Sequence, residues 1–186
     1  SEWIEKRELL KTSSGEITDA ESLAAQIGLI KAIKDYDLKR IISFHSRVKG
    51  AESFSIETQN TIQSISEKHV PKGNIWTDFV SGLMSSDKRN KKLKLLKDLS
   101  LGDRGLLSNA RCLSEGIDVP SLDGVAFIDP KGSQVDIVQA VGRSIRLNEE
   151  KTLGTIFLPV FIKDGDDAKK SIQSSNFKSV WSVLNA

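Results

Sequence analysis

Short apolar runs recur along this chain, each separated from the next by a segment of helical period, and that rhythm leaves few folds open. The runs lie at residues 39–44, 74–80, 105–108, 124–128 and 153–161. Gly, Pro, Ser, Asn or Asp punctuates them, and each is short enough for a strand. Between them, residues 18–34 carry Leu23, Ile27 and Ile30 on one face, opened by a Thr18–Glu21 capping box. A helix is predicted over 51–67, another over 87–99 with Leu93, Leu96 and Leu99 inward, and a last one over 176–184 with Phe177, Val180, Trp181 and Leu184 apolar. Strands alternating with helices predict an α/β fold, a parallel sheet with helices on both faces. A chain of 186 residues has room for one domain with a sizeable core.

One further helix is predicted over 133–146. Ser133 is a good N-cap, with Asp136 in a variant capping box. Ile137, Val138, Val141 and Ile145 fall on one side; Gln139, Arg143 and Arg146 fall on the other. Gly142 costs such a helix roughly 1 kcal/mol against alanine, and its use is to let a backbone or ligand come close. By itself the pattern fits a solvated amphipathic helix as well as an anion-facing one. The preceding loop, leaving the strand that ends at Ser108, places Asp118 beside Gly116, where a carboxylate suits a hydroxyl or a main-chain amine. In open parallel sheets such strand-end loops are where ligands bind. Ser46 and Arg47 lie where a strand meets a helix N-terminus, a natural place for phosphate.

Lys plus Arg number 27 against 25 Asp plus Glu, so any nucleic-acid contact must come from a local patch. The basic face Lys88, Arg89, Lys91, Lys92, Lys94 and Lys97 is read first as a solvated face. Cys112 is the one cysteine, which excludes an internal disulfide and fits a reduced, cytoplasmic setting. The longest apolar run, 155–162, falls short of the roughly 20 residues of a membrane helix, and the N-terminus is not a signal peptide. No membrane partner is expected. Residues 1–17 read as a lead-in, 18–165 as the domain, and 166–186 as a C-terminal helix leading to a further region, since its apolar stripe runs almost to Ala186.

Three stretches carry a family resemblance. Phe44-His-Ser-Arg47 resembles motif IV of superfamily 2 helicases and translocases, Glu115-Gly-Ile-Asp-Val-Pro120 resembles their motif V, and Gln139-Ala-Val-Gly-Arg-Ser-Ile-Arg146 resembles their motif VI. They stand in the family's order, across roughly residues 30–158. The wording from Ser108 to Pro120 is similar to restriction-enzyme motors and related bacterial helicases. The resemblance implies a RecA-like fold and the second of two motor domains. It also implies roles: Arg146 as the arginine finger, Arg143 at the same phosphates, and Gln139, Gly116, Asp118 and Gly142 around the nucleotide. Ser46 and Arg47 are implied to meet the nucleic-acid backbone, with Asn109, Ala110 and Arg111 beside them. Ala110 stands where many members have threonine, so a hydroxyl contact is not implied there. The likeness to restriction motors points to DNA rather than RNA.

No Gly-x-x-x-x-Gly-Lys-[Ser/Thr] and no Asp-Glu box occurs in the sequence. Those elements cradle phosphates and hold magnesium in nucleotide hydrolases. ATP and Mg²⁺ are therefore expected to be held mainly by an N-terminal RecA-like domain of the same protein, and this stretch alone is expected to be inactive, with no metal site of its own. Val125-Ala-Phe-Ile-Asp129 has the look of a magnesium-holding strand end, but without a phosphate loop Asp129 reads as a strand-end or capping residue. The alternative is a non-hydrolysing RecA-like module that docks a partner or nucleic acid; the pair Arg143 and Arg146 argues against it, since a pure binder has no use for a finger. A small-molecule enzyme has no evident nucleophile or base in these loops.

Overall fold

The computed structural model describes residues 9–11, 17–110, 112, 122–129, 142, 154–160, 162 and 165–185. Five strands form one sheet in the order β4-β5-β3-β6-β7: β3 is Arg40–His45, β4 Ile75–Ser81, β5 Arg104–Ala110, β6 Gly124–Phe127 and β7 Thr155–Phe157. Every pairing in it is parallel. β3 is central, with Arg40 opposite Gly105 on one side and Ile41 opposite Gly124 on the other. A small antiparallel pair, β1 (Leu9–Lys11) with β2 (Ile17–Asp19), precedes the sheet.

The helices cover both faces, as strand–helix alternation predicts. Helices α1 (Ala20–Asp35) and α2 (Val48–Ser64) pack Ala25, Leu29, Ile33 and Phe54 against Ile41, Leu106 and Ala126. On the other face, α3 (Ser86–Lys97) brings Leu93 and Leu96, and α5 (Lys178–Leu184) brings Val180, against Ile42, Phe44, Leu107, Val125 and Phe127. Alternate residues of β3 thus serve opposite cores, which is why that strand is apolar on both sides and reads as a continuous run.

Several elements differ from the sequence-based expectation. α1 turns Ala25, Gln26, Leu29, Ile30 and Ile33 inward, while Leu23 and Ile27 are only half-buried. Gln26 is the reason: its amide donates to Ser22 and to the Glu57 carboxylate at 2.9 Å and accepts from Thr61 at 2.7 Å, so a polar residue is satisfied in the helix interface. α2 starts at Val48, three residues before the predicted start. β5 runs to Ala110, because Ser108 and Asn109 are buried with side-chain partners of their own. Among the described residues of the predicted strand at 153–161, the regular part is Thr155–Phe157. An unpredicted helix, α4 (Ala168–Ser174), is capped by the Asp167 carboxylate accepting from Lys170 N; it shows no apolar stripe, and Asp167 was its signal. The predicted helix over 133–146 lies outside the described residues apart from Gly142, which is helical.

The turn at Pro71–Gly73 is tight. Gly73 has φ +89°, and a Cβ there would stand 2.2 Å from the Gly102 carbonyl oxygen. Neither backbone can yield cheaply, because the Arg104 guanidinium ties both turns together by donating to the carbonyls of Lys72 and Gly102. Gly73→Ala is expected to lower stability by at least about 2 kcal/mol. A fall in the urea midpoint at unchanged slope is the expected reading; an unchanged midpoint would show that the two turns can part.

Candidate nucleic-acid and nucleotide interface

From the central β3 the chain passes outward to β4 and β5, then crosses to β6 on the other side. The C-terminal ends of β3, β5 and β6 therefore border the point where strand order reverses, the usual ligand crevice of an open parallel sheet.

At the end of β3, Ser46 and Arg47 are exposed. Arg47 is the N-cap of α2, with extended backbone (φ −126°, ψ 143°) and no side-chain cap. Its guanidinium is thus not spent on the helix end. Ser46 is held from across the sheet: its N–H donates to Asp129 Oδ2 at 2.9 Å and its hydroxyl donates to the same oxygen at 3.1 Å. Asp129 follows β6 and its backbone N–H donates to the Phe44 carbonyl. It therefore closes the loop after β3, a strand-end role. Behind this clasp His45 is buried, its Nε2 3.0 Å from Ser43 Oγ, which in turn donates to Ser108. His45 Nδ1 lies 4.0 Å from the Asp129 carboxylate. Burial pushes the His45 pKa down to about 4 although Asp129 pulls it upward, so the imidazole is neutral at neutral pH. A cleft of about 360 Å³ opens beside these groups, lined by His45, Gly50, Asp129, Pro159 and Asn176 among others.

Asn109 and Ala110 sit one strand away, at the end of β5, and both are buried. The Asn109 side-chain oxygen accepts from the Cys112 N–H at 3.4 Å and its thiol at 3.0 Å, so it shapes its own loop. The Ala110 carbonyl accepts from Gly82 N. Burial raises the Cys112 pKa to about 11, which leaves an unreactive thiol. Of the basic face of α3, Lys92 is paired with Asp78 at 2.5 Å and lies 5.2 Å from the Phe79 ring centre, and Lys94 is paired with Asp98. Lys88, Lys91 and Lys97 are exposed.

The structure thus brings Ser46, Arg47, Asn109 and Ala110 to one edge, the first two open and the last two covered. Arg111, Gly116, Asp118, Gln139, Arg143 and Arg146 lie outside the described residues. Gly142 is exposed, with open space where a Cβ would stand, which suits a face that something else approaches. Among the described residues no group of three or more His, Cys, Asp and Glu could hold a metal ion, and no helix is long and apolar enough to cross a membrane. Asp129 Oδ2 accepts both Ser46 donors, so that oxygen serves the turn after β3. The bond between Ser46 and Asp129 is the site feature that motif reading missed; the only local signal was a carboxylate at a strand end.

Comparison with known proteins agrees with this geometry. The model of the helicase conserved C-terminal domain matches residues 26–148. A probable helicase of African swine fever virus is 40% identical over 55 residues, 30% of this chain and 6% of that protein. Among solved structures, an ATP-dependent Type ISP restriction-modification enzyme bound to DNA superposes with a TM-score of 0.70 at 28% identity, covering 89% of this chain and 12% of that one. Domain 2 of a DEAD-box helicase bound to an RNA duplex superposes at 0.55 and 22% identity, over 74% of this chain and 48% of that one, a likeness of fold. The chain spans only a small part of the first two proteins' length. With a parallel five-stranded sheet of RecA-like architecture among its described residues and the family model matched across most of its length, the chain belongs to the helicase conserved C-terminal domain family.

Proposed function

We propose that this domain is the second motor half of an ATP-dependent DNA helicase or translocase, supplying the arginine finger and part of the strand's track. The observation that carries the track is the exposed Ser46–Arg47 turn at the N-terminus of α2, on the switch-point edge of the sheet. Backbone N–H groups at a helix start and a free guanidinium suit phosphate. Asn109 and Ala110, buried at the end of β5, border the neighbouring loop, and Arg111, next in sequence, is assigned to the same strand contact. Phosphate contacts carry no sequence information, so movement along the strand is sequence-independent.

ATP and Mg²⁺ are held mainly by an N-terminal RecA-like domain of the same protein; ATP supplies a phosphoryl group for transfer to water. This chain contributes Arg146 and Arg143 as cations facing the phosphates. Gln139 faces the nucleotide or the facing domain, Asp118 bonds the ribose or bridges to the arginine helix, and Gly116 and Gly142 keep the approach open. The exposure of Gly142 supports that last role. DNA is favoured over RNA by the 28% identity to a DNA-bound restriction motor over 89% of this chain.

The direct test is ATP turnover by the intact protein that carries this domain, with DNA and RNA supplied separately. Stimulation by DNA above RNA is expected; stimulation by RNA alone would reassign the track, and none by either would favour a docking module. In the same protein Arg47→Ala is expected to weaken strand binding and to lower the slope of log affinity against log salt by about one contact. An unchanged salt slope would remove Arg47 from the track.

A further inference from the structure

Ser46 has two hydrogens to offer a phosphate, on its N–H and its hydroxyl, and both point at a single oxygen, Asp129 Oδ2, at 2.9 and 3.1 Å. A phosphate cannot receive them while the carboxylate does. The carboxylate also overlies the first turn of α2: a Cβ added at Gly50 would lie 3.9 Å from the same oxygen. It therefore occupies the place an anion takes at a helix start.

We propose that Asp129 is a positioning residue that stands in for a backbone phosphate at the β3–α2 turn, and that a DNA strand binds there by displacing its carboxylate. This rests on the reading that the Ser46–Arg47 turn meets the strand. Without the strand, Asp129 keeps the turn in its binding shape by satisfying the donors a phosphate would use. With the strand, the two anions compete for the same donors and repel each other, so the carboxylate leaves. It is free to do so: the Asp129 side chain is 38% exposed and borders the cleft, not a packed core. Among the described residues its buried titratable neighbour, His45, is neutral and 4.0 Å away, too far to hold it.

The test uses the intact motor with Asp129→Asn, Asp129→Ser and, alongside them, Arg47→Ala. Affinity for a labelled DNA oligonucleotide is read at fixed salt, together with the DNA concentration for half-maximal stimulation of ATP turnover. Both Asp129 variants are expected to bind roughly fivefold more tightly, the scale of one unit repulsion removed at about 4 Å in water. Half-stimulation should move to lower DNA concentration by the same factor, with maximal turnover changed less. A structural lesion predicts the opposite sign, so weaker or unchanged binding in both variants overturns the displacement. If Arg47→Ala loses affinity while neither Asp129 variant gains it, the displacement alone is wrong. If Arg47→Ala also leaves affinity and salt slope untouched, the strand does not pass this turn, and the reading beneath the proposal fails with it.

Discussion

Arg146→Ala, made in the intact motor, is expected to cut DNA-stimulated ATP turnover by about 10³–10⁵-fold while leaving DNA affinity near that of the wild type. The size follows from where the charge would act. Phosphoryl transfer spreads negative charge over the equatorial oxygens, and a preorganised cation in a water-poor cleft stabilises that charge far better than solvent does. DNA affinity is spared because the track is assigned to the Ser46–Arg47 turn, on another loop. Arg146→Lys is the informative companion: it keeps the charge but loses the planar fork, and should recover only part of the rate. Steady-state turnover with saturating DNA, beside oligonucleotide binding, checks both. Full turnover in Arg146→Ala would move the finger to Arg143 or remove it from this domain.

Phe127→Ala is expected to cost about 3–5 kcal/mol of folding stability. Phe127 is fully buried in β6 and stacks on Phe44 of β3, with ring centres 5.6 Å apart and planes 22° from parallel. Val180 of α5 belongs to the same core, so the void would open where the sheet's central pair meets the C-terminal helix. Phe127→Leu, which refills most of the volume, should recover more than half of the loss. Urea unfolding followed by tryptophan fluorescence measures both. A cost below about 1 kcal/mol for Phe127→Ala would mean that this core collapses around the gap.

The parallel sheet and its two helical faces were legible in the sequence because buried parallel strands need apolar residues on both sides, as Ile41, Ile42 and Phe44 provide. Helix faces were less legible. A polar residue such as Gln26 enters an interface once Ser22, Glu57 and Thr61 meet its hydrogen-bonding needs, and only the second helix reveals that. α4 escaped for a related reason: a short exposed helix needs a cap and no stripe. In the site, Ser46 and Arg47 could be found from a strand meeting a helix start. The identity of their neighbour could not, since Asp129 is 83 residues away and a strand-end or capping role does not name the group it holds. Asn109 was found by resemblance, but its burial against Cys112 is a property of the folded loop. Arg111, Gly116, Asp118, Gln139, Arg143 and Arg146 rest on motif likeness.

The central place of β3 has a consequence for how the domain is made. It is the first strand of the five-stranded sheet to leave the ribosome, yet both its neighbours come late: its contacts to β5 span 65 residues, and those of the adjoining turn to Asp129 after β6 span 83. Until then a strand carrying Ile41, Ile42 and Phe44 has two unpaired edges. α1 and α2 emerge beside it and cover the Ile41 face at once. The Ile42 and Phe44 face waits for α3 and finally α5. Synthesis therefore leaves one apolar face of a half-made sheet open until nearly the whole domain is out, and that face is where chaperones, or other nascent copies, have the longest opportunity to bind.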